Sequence, residues 1–112
     1  MNTLRNQVQL IGNLGNNPEI KTFDNGKKMA TLSIATNETY TNAQGEKITN
    51  TQWHRVVLWN KTAEIAEKYL QKGKEVAIGG KLNYREYEDT DGKKRYITEI
   101  IGNELVLLGS LQ

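Results

Sequence analysis

The stretch Thr51–Trp59 carries the side chains of this sequence that are best suited to bind a ligand. It is typical of a β-strand, in which successive side chains point to opposite faces, so Trp53, Arg55 and Trp59 share one face. Two indoles beside a guanidinium can stack on flat π-systems and pair with negative charge, and an unpaired nucleic-acid strand presents both. The alternative is that both tryptophans belong to the core of a β-protein, because aromatic residues dominate cores as well as binding faces.

The opposite face of the same strand carries Val56, Leu58 and the only histidine, His54. A histidine can donate a proton or bind a metal, but His54 has no second ligand at metal-binding spacing. A packed or interface histidine is therefore the preferred interpretation.

Composition argues against an enzyme. The 112 residues fit one domain, and the absence of cysteine excludes a disulfide framework and the usual cysteine metal sites. Neither a nucleophile elbow nor a phosphate-binding glycine loop is present. Acidic residues at a predicted hairpin tip could hold Mg²⁺, although turn formation and solubility account for them better. These residues are Glu86, Glu88, Asp89 and Asp91.

Net charge gives little guidance to the partner. Fifteen Lys and Arg against thirteen Asp and Glu give a net charge of +2. This is far below the strongly basic net charge that indicates a nucleic-acid partner. Binding of a polyanion would have to depend on local cations and on stacking. No apolar run approaches the roughly 20 residues of a membrane span, and Met1–Arg5 does not lead into a signal peptide. A cytoplasmic protein is expected.

Alternating patterns and turn residues predict five strands. The first covers Val8–Leu14 and can resume at residues 20–23, and Gly79-Gly80 marks a bulge in the fourth. Gly102 is expected to bend the chain before a last apolar segment at residues 105–108. The other predicted strands are residues 29–40, 51–59, 75–87 and 94–101.

Helical spacing appears once, after Trp59, where Ile65, Ala66, Tyr69 and Leu70 recur on one face. Asn60 is the predicted N-cap and Gly73 the predicted left-handed C-terminal cap, and Tyr69 is assigned to the core. Three strands, a helix and two strands predict an all-β OB-fold: a five-stranded Greek-key barrel with one short helix between strands 3 and 4. This single domain is expected to cover residues 1–112.

Five blocks of the sequence, from about residue 6 to 108, resemble bacterial single-stranded DNA-binding proteins (SSB family) in order and spacing. The blocks are residues 8–19, 35–38, 51–57, 63–73 and 95–99. Each block alone is moderately specific for this family, and the five blocks together make a strong resemblance.

The resemblance implies an OB-fold subunit of a homotetramer that wraps single-stranded DNA without catalysis, cofactor, metal or membrane. Such a protein would protect exposed strands in DNA replication, repair and recombination, in the cytoplasm and associated with the nucleoid. The implied stacking residues are Tyr40, Trp53, Trp59 and Tyr87. The implied backbone-binding cations are Lys21, Arg55, Lys61, Lys72 and Arg85. His54 corresponds to a histidine at a subunit contact.

The sequence departs from the family pattern in two ways. Tyr40 and Tyr87 stand where many members carry Trp, and Gln7, Asn83 and Glu86 stand at positions that are often basic. Each lost phosphate contact would lower the salt dependence of log affinity by roughly 0.7. The sequence ends at Gln112, as either a truncated or a naturally short member, without the Gly/Pro/Gln-rich, acidic-tipped tail through which members recruit replication and repair enzymes; recruitment by that route is not expected of the residues given.

Two other functions compete with this interpretation. A primosome-type adaptor, an OB-fold dimer acting through protein contacts, would be a dimer with weak strand affinity. An OB-fold nuclease would cleave single strands with divalent metal, and the sequence lacks the ligands for that. Preference between RNA and DNA stays open, because no polar group can be assigned to a 2′-hydroxyl.

Overall fold

Six strands and one helix form the part of the chain that the computed structural model describes, residues 5–108. The predicted domain of residues 1–112 therefore has its two ends, residues 1–4 and 109–112, outside the described residues. The elements are β1 (Val8–Leu14), β2 (Glu19–Thr22), β3 (Lys28–Thr41), β4 (Lys47–Trp59), α1 (Asn60–Tyr69), β5 (Glu75–Glu88) and β6 (Lys94–Leu107).

The strands close into a five-stranded barrel. Their order is β1-β5-β6-β4-β3-β2, and two further residue pairs between β1 and β3, Asn13–Ala35 and Leu14–Ile34, join the ends. All pairings are antiparallel except β4 with β6. The predicted OB-fold is confirmed. The resumed first strand is a separate element, β2, so the helix follows β4.

The core lies inside the barrel, and α1 covers one part of it. Inward positions such as Leu32, Ile34, Val56, Leu58 and Ile78 are essentially inaccessible to solvent. Burial of each such side chain contributes about 1.5–3 kcal/mol.

The predicted face of the helix only partly matches the one that packs on the barrel, because Ala66 and Leu70 are buried as predicted and Ile65 and Tyr69 are exposed. Ala63, Ala66 and Leu70 are buried, whereas Tyr69 is 55% exposed, so its assignment to the core was wrong. Small alanines let the helix backbone lie close to the strands, and this leaves the larger Ile65 exposed too, one turn before Tyr69.

Both predicted helix caps are also wrong. Asn60 is the first helical residue, and the extended residue before it, Trp59, makes no side-chain capping bond. Leu70 ends the helix in an extended conformation. Gly73 does adopt positive φ, but in the turn that follows, where the Lys74 N–H donates to the carbonyl of Gln71.

A bulge in the β5–β6 ladder reverses which side of β6 faces inward. The register shift at Gly79/Gly80 was predicted, but the extra residue is on β6: Gly79 pairs with Glu104 and Gly80 with Gly102, which skips Asn103. β6 continues through Gly102 to Leu107, so the predicted end of this strand at Ile101 was wrong. The skipped residue changes the inward positions from even numbers, such as Ile100, to odd ones.

The bulge predicts a large contrast between two neighbouring glycines. A Cβ on Gly80 would overlap the carbonyl oxygen of Ile101, whereas one on Gly79 would meet only the flexible side chain of Glu104 at 3.2 Å. We expect Gly80→Ala to lower the free energy of unfolding by about 1–3 kcal/mol or more, and Gly79→Ala to change it by less than about 1 kcal/mol.

Urea unfolding of the two variants measures this difference. Both substitutions restrict the unfolded chain equally, by roughly 0.4–1 kcal/mol, so the contrast isolates the steric effect. Equal midpoints for the two variants would contradict the tight packing at Gly80.

Two hairpins with similar turns carry exposed strand ends. In the β3–β4 turn, Asn42 Oδ1 accepts bonds from the N–H groups of Gln44 and Glu46, both 2.9 Å. In the β5–β6 turn, Asp89 accepts two backbone bonds in the same way and a third from Arg95 Nε at 2.8 Å. The Arg95 bond, with the backbone bonds, lowers the pKa of Asp89. Asp89 therefore organises a turn.

Candidate functional site

The outer face of β4 presents the residues that the sequence singled out. Val56 and Leu58 are buried in the core, whereas Trp53 and Trp59 on the other face are 60% and 38% exposed. The alternative that both tryptophans are core residues is wrong. The buried Val57 is the exception on the outer face, where it lies between Thr31 on β3 and Ile101 on β6 in the strand register.

Trp53 lies against the backbone of Gly15, at the end of β1. A Cβ on Gly15 would come within 2.8 Å of Trp53 Cη2 and still closer to Cζ3. The Gly15 N–H donates to the carbonyl of Ser33 at 2.9 Å, which fixes the glycine against β3. Gly15 was not a predicted site residue. It serves to leave room for the indole.

The side chains of Trp59, Phe23 and Lys21 form a short stacked series, with Trp59 at one end. Its ring is stacked with that of Phe23, with centroids 5.9 Å apart and planes inclined by 22°. Lys21 Nζ lies 5.2 Å from the centroid of the Phe23 ring, within cation–π range. Phe23 was not a predicted site residue; that it is the only Phe of the sequence gave no indication of this contact.

The two predicted arginines meet at a buried carboxylate. Glu99 is 5% exposed, and its Oε1 lies 3.5 Å from Arg55 Nε and 3.4 Å from Arg85 Nη2. Its Oε2 accepts a bond from Asn83 Nδ2 at 3.4 Å. Arg55 Nε is buried and makes only this long ion pair. One negative charge therefore holds two positive ones at the outer face, and Glu99 was not a predicted site residue.

A groove of about 390 Å³ runs beside Trp53. Thr31 and Ser33 of β3 lie along it, between Trp53 and Arg55 on β4 and the β1–β2 segment, which contributes Asn16, Asn17 and Glu19. A second recess continues past Glu19 and Arg55 to Lys21 and Met29. The two recesses lead from Trp53 towards the Phe23–Trp59 pair, because Met29 is the register partner of both Lys21 and Trp59.

The β1–β2 segment is bonded to the turn after the helix. The backbone N–H of Lys72 donates to Asn17 Oδ1 at 2.8 Å, and Asn13 Nδ2 donates to the Gly73 carbonyl at 3.1 Å. These bonds place Lys72 at the edge of the groove. Lys61 is elsewhere: it borders a recess on the helix surface with Ile65 and Tyr69.

The two predicted tyrosines lie on the hairpins. Tyr87, 45% exposed, is two residues from Arg85 and shares its strand face. Tyr40, 50% exposed, pairs with Ile48, and the unbroken β3–β4 register places both on the strand face of His54. Tyr87 therefore continues the surface of Trp53 and Arg55, while Tyr40 stands apart from it.

His54 is half-buried and bonded. Its Nε2 lies 2.9 Å from Thr36 Oγ1 on the neighbouring strand. It therefore has a local partner on the face that the β4 pleat turns away from Trp53. Within residues 5–108, no group of three or more His, Cys, Asp or Glu side chains is placed to hold a metal ion. No helix in that range is long and apolar enough to cross a membrane.

Comparison with known proteins gives one family. The model of the single-strand binding protein family matches residues 5–108. A Plasmodium falciparum SSB in complex with single-stranded DNA superposes with a TM-score of 0.86 at 35% identity, covering 97% of this chain and 100% of that one. A deletion mutant of the single-stranded DNA binding protein from Thermus aquaticus gives 0.81 at 29% identity, over 93% of this chain. The match spans 50% of the Thermus protein.

Proposed function

The chain belongs to the single-strand binding protein family, and on that premise we propose that it binds single-stranded DNA with little dependence on base sequence. Bases stack on exposed aromatic rings, and cations contact the phosphate backbone. The protein thereby protects exposed strands in DNA replication, repair and recombination, in the cytoplasm at the nucleoid.

The observation that carries this proposal is the pair of exposed indoles on one face of β4 with the guanidinium of Arg55 between them. Contiguous exposed apolar patches on a soluble domain mark sites of interaction with a partner or ligand. Stacking is worth about 1–3 kcal/mol per base and does not select the base, because every base has a π-face. We assign stacking to Trp53, Trp59, Tyr87 and Tyr40.

Backbone contacts fall to Lys21, Lys72, Lys61, Arg55 and Arg85. The two arginines share Glu99, so together they supply about one net charge to the bound strand. Tyr40 and Lys61 lie away from the groove, and a strand that reached them would have to wrap around the subunit. That path fits wrapped DNA better than a single straight track.

Intrinsic fluorescence tests the proposal directly, because the proposed interface contains both tryptophans of the sequence. Titration with oligo-dT at low salt should quench the emission, and added salt should reverse the quenching. A blunt duplex of equal length, whose bases are already stacked, is the control and should quench far less. Absence of quenching by oligo-dT at low salt would overturn the proposal.

Gly15 offers a test that leaves every contact side chain in place. Gly15→Ala should displace the Trp53 indole and weaken oligo-dT binding by about tenfold, since one base loses its stacking partner. Gly79→Ala, which adds the same methyl group at a glycine that lines neither Trp53 nor the groove, is the control. Fluorescence titration gives both affinities. Unchanged affinity in Gly15→Ala, with the same melting temperature, would contradict the role assigned to this ring position.

We further propose a homotetramer with His54 near a subunit contact. Over Val8–Gly12, β1 pairs with β5 along one side, and within residues 5–108 its other edge has no strand partner. Ile11 on this strand is 56% exposed. Open apolar strand edges favour pairing with another chain. Light scattering should give the mass of four chains, and a monomer at micromolar concentration would contradict the assembly.

A further inference from the structure

The groove beside Trp53 contains a carboxylate in a surface proposed to bind a polyanion. Glu19 is exposed and lines both the groove and its continuation, whereas the other ionisable side chains on that strand face, Arg55 and Lys21, are basic. Within residues 5–108 the structure gives Glu19 no ion-pair partner. Its negative charge can therefore interact with a ligand that occupies the groove.

Phosphate and carboxylate repel each other, so the backbone of a bound strand cannot run past Glu19 at close range. The cations lie on the flanks of the groove, at Arg55, Lys21 and, beyond Asn17, Lys72. A strand that places its phosphates near those cations turns its bases towards Thr31, Ser33 and Glu19. A base edge, not a phosphate, then meets the carboxylate.

We infer that Glu19 is a base-reading residue, which favours bases with an exocyclic amino group over thymine at this one position. The inference rests on the proposed function. An ionised carboxylate only accepts hydrogen bonds, and cytosine N4, adenine N6 and guanine N2 carry amino donors for it. Thymine presents two carbonyl oxygens beside its single N–H, so its edge repels the carboxylate more than it binds.

The rest of the groove suits a base in this orientation. Trp53 provides a stacking wall, and the hydroxyls of Thr31 and Ser33 lie along the groove. The amide of Asn16, which can donate and accept, stands on the same side as Glu19. The volume of about 390 Å³ lies within the range of small-molecule sites and admits a nucleobase. One biased position among many stacked ones leaves overall binding tolerant of sequence.

Glu19→Gln tests the inference, because glutamine keeps the size, removes the charge and adds a donor. Affinities for oligo-dC and oligo-dT of equal length are measured at one salt concentration and neutral pH, where cytosine is unprotonated. We expect both affinities to rise as the negative charge is lost. Oligo-dT should gain more, so that the dC-to-dT affinity ratio falls by about fivefold relative to wild type.

Glu38→Gln is the matched control. Glu38 is an exposed acid on β3, on the strand face opposite to Thr31 and Ser33, and its loss should raise both affinities equally. An unchanged ratio in Glu19→Gln would show that Glu19 acts on phosphates through its charge alone and would overturn the inference, while leaving single-strand binding intact. Wild-type protein that binds neither oligonucleotide would overturn the proposed function and this inference together.

Discussion

Replacing Trp53 with alanine is expected to weaken oligo-dT binding by about ten- to a hundredfold, because one base loses a stacking surface worth about 1–3 kcal/mol. The side chain is 60% exposed, and its partner in the fold is the backbone of Gly15. Little of the core depends on it. We therefore expect the melting temperature to change by only a few degrees while affinity falls.

Fluorescence titration, now reporting through Trp59, and a thermal melt separate these two effects. Glu86→Ala is the control: Glu86 is exposed on the β5–β6 hairpin, on the strand face away from Tyr87, and its loss should leave binding unchanged or slightly tighter. Equal losses of affinity in the two variants would argue against a stacking surface on β4.

Replacing Glu99 with glutamine is expected to weaken DNA binding although it removes a negative charge. Without the carboxylate, Arg55 and Arg85 lose the group that holds both guanidiniums at the outer face. They then repel each other and move into solvent, which both can reach because their side chains are 39% and 48% exposed. Each lost phosphate contact lowers the slope of log affinity against log salt by about 0.7.

The measurement is oligo-dT affinity over a series of salt concentrations, with a thermal melt for each variant. Glu104→Gln, an exposed acid later on β6, is the control that gains the same charge without touching the arginines. Glu104→Gln should bind oligo-dT more tightly than wild type. Glu99→Gln should bind it more weakly, with a shallower slope of log affinity against log salt. If Glu99→Gln matched Glu104→Gln in both quantities, the carboxylate would have no positioning role.

Removing both arginines provides a second test that does not depend on the stability of Glu99→Gln. In an Arg55→Gln/Arg85→Gln background, the further change Glu99→Gln should have no additional effect on the salt slope, because the groups through which it acts are gone. Breaking a buried ion pair by removing one partner costs about 3–5 kcal/mol, and exposure of the arginines reduces that figure here. An additional effect in this background would show that Glu99 acts by another route.

The sequence was sufficient where local rules decide the structure. Alternation in β4 predicted which side chains face outward, since a strand has no other way to place them. The turn at Asp89–Gly92 was predicted, because Gly92 supplies its positive φ and the Asp89 side chain bonds to the turn backbone. These features depend on neighbours within a few residues.

What escaped prediction depends on contacts between distant segments. Glu99 meets Arg55 only because β6 runs parallel to β4, and Phe23 meets Trp59 across β3. Tyr69 has the spacing of a core residue, yet two alanines decide how closely the helix approaches the barrel. A single sequence records the residues of such contacts but not the register that brings them together.

The barrel is closed by a ladder of two residue pairs, as short as the ladder between β4 and β6, and this closing ladder reaches the proposed binding surface. Only two residue pairs join β1 to β3, and the next bond along the seam is the one from Gly15 to Ser33. Ladders this short open most readily, by local fluctuations that leave the remaining strands intact. When this seam opens, the support beneath Trp53 moves with it. Local opening of the barrel would therefore also weaken the contact between Trp53 and a bound strand. A base stacked on Trp53 would in turn oppose the opening of the barrel.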